Sequence, residues 1–351
     1  MNVPNVLAVG DRFVLPELLV TAVRAELGAD ADVASYATAW PDEPEQPVAE
    51  VDEASGTEQE LIEALQGRQV LVSHLSPVTR TVLDACPELE LVVITRGGPV
   101  NVNIDAATDH GVAVCYAPGR NAVATAEMAV TLLLSVVRRI PIAHAQATTG
   151  VWRGGLYRYE DAGIQIEGAT VGLVGYGAVG SRVARALRGL GAEVLVFDPF
   201  VDPAALSGVA VPVGSLDELL RASRIVSLHA RFTPETRGLI GRREIELMPE
   251  GSFLVNSARG GLLDYDALCD ALECGHLLGA ALDVYPVEPL AAGHRLVQAA
   301  AKGLNVVLTP HVAGASRAVA ENAAVITAAE VGRHARGEPL LNLSNPEVLH
   351  R

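Results

Sequence analysis

The chain has 351 residues, 50% of them hydrophobic, and a formal net charge of −16 at pH 7. That length fits two domains with sizeable cores, and the acidic excess argues against nucleic acid or an anionic membrane as partner. No basic-then-apolar signal pattern opens the chain, and the apolar run near Leu132 is too short to span a bilayer, so a cytoplasmic location is the default expectation.

In chain order, Val6 to Val9, Val70 to Ser73, Leu91 to Thr95 and Val112 to Cys115 read as strands. Helical patterns lie between them: Glu17 to Leu27, and one from Glu58 whose Thr57 start fits a capping box. Alternating strands and helices predict a parallel sheet covered on both faces. Pro41 to Glu60 carries eight acids and no base, and is expected to be a solvated loop. His74 and the Arg96, Gly97 and Gly98 loop each follow a strand directly. Ligands of open parallel sheets gather at strand carboxyl ends, so both are candidate substrate contacts. Gly97 and Gly98 offer backbone N–H groups to a carboxylate and Arg96 adds charge. The alternative makes Arg96 a surface ion-pair residue and His74 a loop histidine.

Pro118 and Gly119 break the chain, and Thr125 to Arg139 then reads as an almost wholly apolar helix. Such a helix is buried, between domains or against another subunit. Trp152, Tyr157 and Tyr159 cluster just beyond it and are expected to anchor a core or an interface, with a substrate lid as the alternative.

From Gly168 to Pro199 the chain reads GATVGLVGYGAVGSRVARALRGLGAEVLVFDP. A strand, Thr170 to Val174, breaks into glycines at 175, 177 and 180, a helix follows, and a second apolar run ends on Asp198. Gly175 permits the tight turn, Gly177 lets a pyrophosphate approach the backbone, and Gly180 lets the helix pack against the strand. The helix N-terminus offers free N–H groups to phosphates. Asp198 stands where a carboxylate accepts the ribose hydroxyls of NAD and repels the extra phosphate of NADP.

Beyond it, Ser215 to Leu220 is a short helix with a capping box from Ser215 and Glu218, and Asp264 to Cys274 is a helix capped by Asp264. Strands end at Leu228, Asn256, Leu282 and Leu308. Arg259, Asp283, Glu288 and His311 fall just past such ends, so they should converge with the glycine turn on one edge. The residue types suit a 2-hydroxy acid. Arg259 can hold its carboxylate bidentately. His311 can move the hydroxyl proton. Glu288 would favour the imidazolium, and Asp283 is placed to bind the nicotinamide carboxamide. The four cysteines, Cys86, Cys115, Cys269 and Cys274, have no metal spacing and are expected to be buried free thiols; no metal is called for. Ser316 to Arg336 reads as a helix ended by Pro339, with the tail crossing back to the first domain.

These motifs together resemble the D-isomer-specific 2-hydroxyacid dehydrogenases, phosphoglycerate dehydrogenase-like, over nearly the whole length. The matching pieces are RGGPVNVNID from Arg96, PGRNAVATAE from Pro118, TVGLVGYGAVG from Thr170, NSARGG from Asn256, ALDVYPVEPL from Ala281 and LTPHVAGAS from Leu308. The resemblance implies two Rossmann-like or flavodoxin-like parallel-sheet domains with a cleft between them. The substrate domain would be discontinuous (residues 1–119 and 314–351), and residues 120–313 would bind NAD. It implies Arg259, Glu288 and His311 as the catalytic set, with Arg259 and His311 also touching substrate. Cofactor contacts are expected at Gly175, Tyr176, Gly177, Ala178, Val179, Gly180, Asp198, His229, Ala230, Arg231, Thr236, Ser257, Ala258, Arg259, Asp283, His311 and Gly314. A homodimer through the helix at 125–139 is implied as well. Glu288, where formate dehydrogenases of this superfamily carry Gln, argues against formate. Arg231 stands where the family usually has proline and can reach a phosphate of NADP. Two other readings stay open: phosphite oxidation, which uses the same triad, and an NAD(H)-sensing binding protein like the corepressors of this superfamily. A polar or anionic acid, such as a sugar acid, is favoured as substrate.

Overall fold

Short apolar, often β-branched runs become strands buried on both faces, as a parallel sheet covered by helices requires. The computed structural model describes residues 3–40, 46–152 and 154–350. Two units form, Met1–Asn121 with Ser316–Arg351, and Ala122–Ala315.

The first unit contains β1 (Val6–Gly10), α1 (Pro16–Leu27), β2 (Val33–Ala37), β3 (Gln46–Val48), β4 (Val51–Ala54), α2 (Glu58–Leu65), β5 (Val70–Ser73), α3 (Arg80–Ala85), β6 (Leu91–Ile94), α4 (Ile104–Asp109) and β7 (Ala113–Tyr116). Five strands make one parallel sheet in the order β2-β1-β5-β6-β7, a flavodoxin-like arrangement. Alternate side chains of β1 go to opposite faces: Val6 and Ala8 join one core cluster, Leu7 and Val9 the other. The helix Arg317–Arg336 packs on the first of these clusters through Ala320, Ala324, Ala328 and Val331. It ends at Gly337, whose φ of 66° suits a left-handed C-cap, so glycine stops it before Pro339. The tail then covers the β7 edge, with Ser344 N–H donating to Val114 O at 2.7 Å.

The acidic stretch departs from expectation. Pro41–Glu45 lie outside the described residues, but β3 and β4 pair as an antiparallel hairpin. Val51 and Ala54 are buried while Asp52 and Glu53 face outward. The loop reading weighed the acids and overlooked these inward apolar positions.

The second unit opens with α5 (Ala122–Val137), three residues earlier than predicted, and α6 (Ile140–Thr148). There follow β8 (Thr170–Val174), α7 (Gly180–Gly189), β9 (Glu193–Phe197), β10 (Val211–Pro212), α8 (Leu216–Ala222) and β11 (Ile225–Leu228). α9 (Arg242–Leu247), β12 (Ser252–Asn256), α10 (Tyr265–Glu273), β13 (Leu277–Leu282), α11 (Arg295–Ala301) and β14 (Val306–Leu308) complete it, and Arg317–Arg336 becomes α12. All seven strands are parallel, ordered β10-β9-β8-β11-β12-β13-β14, a doubly wound Rossmann order with an added strand. Val171, Leu173, Ile225 and Val255 face one cluster with α5 and α7; Val226, Leu228 and Leu254 face another with α8 to α10.

Three local expectations are corrected. Ser215 caps α8 through the Glu218 amide, but Glu218 reaches back to Gly214 N–H, not to Ser215, so the reciprocal box is not closed. Trp152, Tyr157 and Tyr159 are 95%, 96% and 98% exposed, so they are not core anchors within this chain. All four cysteines are free, but Cys274 is exposed, because it follows the last turn of α10 on the outer side. No helix among the described residues is long and apolar enough to cross a membrane.

Candidate active site

The glycine turn joins β8 to α7 at the point where strand order reverses between β8 and β11. Gly175 has φ of 101°, and a Cβ there would meet the Ala230 amide nitrogen at 2.7 Å. A Cβ on Gly180 would lie 2.3 Å from Gly175 O. Gly177 is different: a Cβ there meets nothing within 4 Å, so its backbone faces open space. No side chain caps the N-terminus of α7 at Val179, so N–H groups there and at Ala178 remain for an anion. The Tyr176 ring is buried in the core, so this residue offers only its backbone.

Asp198 braces the turn. Its carboxylate accepts from Tyr176 N–H at 2.8 Å and Phe200 N–H at 2.9 Å. After β11, His229 accepts or donates at Nε2 with Ser227 Oγ, 3.0 Å away, and desolvation pushes its imidazole down to about 4. A neutral ring thus sits beside the glycine turn. Arg231 is exposed, and its carbonyl accepts from Thr236 Oγ1 at 2.7 Å, so Thr236 is committed to closing its own loop.

The loops after β12, β13 and β14 interlock. Asn256, fully buried, accepts from Ala258 N–H and donates to Arg259 O, each at 3.0 Å, fixing the turn that presents Arg259. A Cβ on Gly260 would lie 1.9 Å from Tyr285 O, so only glycine lets these two loops touch. The Arg259 side chain is exposed, with Nη1 donating to Ala258 O. The Ser257 hydroxyl is buried and has no partner among the described residues.

His311 Nδ1 meets Glu288 Oε2 at 2.6 Å, and Glu288 Oε1 accepts from Tyr285 N–H at 2.9 Å. That pairing places a proton on Nδ1 and leaves Nε2 outward. The hydrogen bond to Glu288 is the largest influence raising the His311 pKa; the charges of Glu288 and Asp283 add to it, while burial and Arg259 oppose. Burial works to raise the Glu288 pKa, but hydrogen bonds from His311 and Tyr285 outweigh it and the net shift is downward. His311 has φ of 52°, left-handed for a side chain that rarely adopts it. Asp283 holds that conformation: Oδ1 accepts from Thr309 Oγ1 (2.6 Å) and Val312 N–H (2.9 Å), and Oδ2 from Ala313 N–H (2.8 Å). Asp283 is 0% exposed. Its carboxylate thus serves the turn that carries His311 and leads to Gly314, and the carboxamide contact expected of it would share that carboxylate through its remaining acceptor capacity.

The first unit brings its candidates to one sheet edge as well. Gly97 and Gly98 stand open, with nothing within 4 Å of either Cβ position. Arg96 is held by the side chain and carbonyl of Glu53, so its charge is already answered. His74 is 5% exposed and its Nδ1 contacts Asp11 Oδ2 at 2.5 Å. Nδ1 of His74 is thus committed to Asp11, which leaves Nε2 as the ring atom that the expected substrate contact would use. Sequence reading missed Arg120, whose buried Nε and Nη1 have no partner among the described residues. Its lone positive charge in the loop after β7 was visible; its lack of partners was not.

The family model for the D-isomer specific 2-hydroxyacid dehydrogenase, NAD binding domain, matches residues 130–313. D-3-phosphoglycerate dehydrogenase of Archaeoglobus fulgidus is 36% identical over 84% of this chain and 55% of its own length. The chain thus spans about half the length of the curated relatives it matches. The TT0316 protein of Thermus thermophilus superposes with a TM-score of 0.77 at 30% identity, covering 97% of this chain and 99% of that one. The holo form of D-mandelate dehydrogenase from Rhodotorula graminis gives 0.78 at 26% identity, with 98% of each chain covered. The chain belongs to the family of D-isomer specific 2-hydroxyacid dehydrogenases, and it carries that family's NAD binding domain.

Proposed function

We propose that the chain moves hydride between NAD and C2 of a D-2-hydroxy acid or the matching 2-oxo acid. The observation that carries this is the His311–Glu288 pair, 2.6 Å apart, on the same sheet edge as Arg259 and the glycine turn. The residues suit the cofactor. Gly177 and the uncapped α7 N-terminus fit its phosphates, Asp198 suits the ribose of NAD better than that of NADP, and the orphan Ser257 hydroxyl lacks a partner that a ligand would provide. Bound NAD supplies the hydride acceptor at its nicotinamide ring.

Arg259 binds the substrate carboxylate through its charged fork. Nε2 of His311 takes the hydroxyl proton during oxidation and returns it during reduction. Glu288 stabilises the resulting imidazolium and fixes the ring through Nδ1. Asp283 and Asn256 act as positioning residues, the first for His311 and the second for Arg259. Gly97 and Gly98 remain the substrate-loop positions of the first unit. Four free cysteines suit a reducing cytoplasm, and a homodimer through the helix at 125–139 remains the assembly this reading expects.

The deciding experiment is a panel of 2-oxo acids with NADH and, in parallel, NADPH. Oxidation of NADH by at least one acid is expected. Silence across the panel, or NADH formation from phosphite alone, would replace this reading.

A further inference from the structure

Tyr285 is buried in the loop after β13, three residues before Glu288. It touches all three loops of the site. Its N–H donates to Glu288 Oε1 at 2.9 Å. Its carbonyl abuts Gly260, the neighbour of Arg259. Its hydroxyl donates to Thr309 O at 2.8 Å, and that same carbonyl accepts from His311 N–H at 3.0 Å. Leu282 O lies 3.2 Å from the hydroxyl, but it already accepts from the Thr309 amide at 3.0 Å. A phenol has one proton to donate, so the shorter bond to Thr309 is the one that counts.

Glu288 and His311 stand on different loops, and their 2.6 Å contact requires the two loops to keep their spacing. Asp283 shapes the His311 turn through Thr309, Val312 and Ala313, but none of those bonds reaches Glu288. Tyr285 bonds on both sides. Its amide aims the Glu288 carboxylate, and its hydroxyl fixes the carbonyl on which the left-handed His311 backbone folds. Burial, with the charges of Asp283 and Glu288 adding, pushes the phenol up to about 12, so it remains a donor around neutral pH. The charged groups facing His311 are Glu288 and Asp283, which favour the imidazolium, and Arg259, which opposes it. Tyr285 faces Asp283, Glu288 and the Tyr265 phenol. Deleting the Tyr285 hydroxyl changes none of these charges, so any movement of the His311 titration must come through geometry. Tyr265 provides the contrast: its buried hydroxyl donates to Val284 O at 2.6 Å and lies 3.5 Å from Asn256 Nδ2, and neither contact includes Glu288 or the His311 turn.

We propose that Tyr285 is a positioning residue that keeps Glu288 and His311 in register, through its amide on the one and its hydroxyl on the turn of the other. This rests on the dehydrogenase reading and adds the residue that holds its acid–base pair together.

The test compares wild type with Tyr285→Phe, which keeps the ring and the amide, and with Tyr265→Phe. Each reduces glyoxylate, pyruvate and 2-oxoglutarate with NADH across a range of pH. The fall of kcat at high pH marks the loss of the His311 proton. Tyr285→Phe should lower kcat by about 2- to 10-fold, the contribution of one neutral hydrogen bond. It should also move that fall by about 0.3–1 pH unit toward acid, with KM for NADH within about twofold of wild type. Tyr265→Phe should leave the fall in place. Combined with Glu288→Gln, Tyr285→Phe should add little further movement, because both changes act on one contact. A fall that stays in place in Tyr285→Phe, one that moves as far in Tyr265→Phe, or a full additional movement on top of Glu288→Gln would overturn the proposal. A second arm needs no turnover: the imidazole of His311 is titrated by NMR, its signal assigned by its loss in His311→Gln. Its pKa should fall in Tyr285→Phe, and an unchanged value would sink the idea. Should no acid oxidise NADH, the dehydrogenase reading fails, and this titration alone still decides whether Tyr285 governs the pair.

Discussion

His311 and Glu288 in the second unit, and His74 and Asp11 in the first, meet through the same atoms: Nδ1 against a carboxylate oxygen, at 2.6 and 2.5 Å. Their surroundings differ. The side chains of His311 and Glu288 are 48% and 27% exposed, those of His74 and Asp11 6% and 0%. The imidazole pKa moves in opposite directions. For His311 the bond to Glu288 dominates and raises it. For His74 burial dominates and lowers it, more than Asp11 can raise it. In both pairs the carboxylate ends below its usual range. A carboxylate partner alone therefore does not make a histidine an acid–base group. Partial solvation of the ring decides whether the charged form is stable. Of the two, only His311 is poised to exchange a proton near neutrality.

The sharpest way to break the comparison is to delete each ring. His311→Ala, and likewise Arg259→Ala, should lower kcat by about 10²- to 10⁴-fold while NADH still binds with its normal fluorescence change. Near-wild-type turnover in both would remove His311 and Glu288 from the chemistry. His74→Ala should act on stability: losing a bond to a charged, buried partner costs about 1.5–3 kcal/mol, read by urea denaturation. The pH dependences should also oppose one another. His74, lowered from 6.5 in the fold, opposes folding progressively as pH falls below 6.5. His311, raised from 6.5, contributes stability that is complete below 6.5 and lost as pH climbs through its folded value. An acid-side stability loss that survives His74→Gln unchanged would show that this buried ring is not its source.

A smaller contrast lies within the glycine turn. Gly180→Ala puts a methyl 2.3 Å from a carbonyl and should destabilise by about 1–3 kcal/mol. Gly177→Ala meets open space and should fold normally, yet weaken NADH binding, because the methyl occupies ground meant for the pyrophosphate. If both variants bind NADH equally and differ only in Tm, the Gly177 backbone does not face the cofactor.

Much of this was legible in the sequence because it is local. Apolar runs of four or five residues marked β1, β5 to β9 and β11 to β14, though not β2, β3, β4 or β10, and chain order then put Arg259, Glu288 and His311 at strand carboxyl ends. The capping box at Thr57 formed as read, because both of its bonds lie within four residues. What escaped depends on partners distant in sequence. Asp283 was read as a ligand contact, and its part in bracing the turn near Ala313, 30 residues away, was not visible. Glu53 claims Arg96 across 43 residues, and no described residue claims the buried Nε and Nη1 of Arg120. The hairpin at Val51 was masked by its acidic neighbours. Sequence periodicity reports burial; it does not report which buried donors remain without an acceptor.

The finest test leaves both rings in place and changes one charge. Glu288→Gln keeps a side chain of similar shape that can still accept from His311 Nδ1 but no longer carries a negative charge. The largest influence raising His311 is thereby weakened, so its pKa should fall. Reduction of a 2-oxo acid needs the protonated ring, and its rate drops as pH rises through that value. In Glu288→Gln the drop should begin at lower pH. Oxidation of the hydroxy acid needs the neutral ring, so its rising limb should move toward acid as well. A purely structural Glu288 would lower both rates at every pH without moving either limb. Limbs that stay in place would therefore assign Glu288 to holding the Tyr285 amide, and leave the raised proton affinity of His311 without its cause.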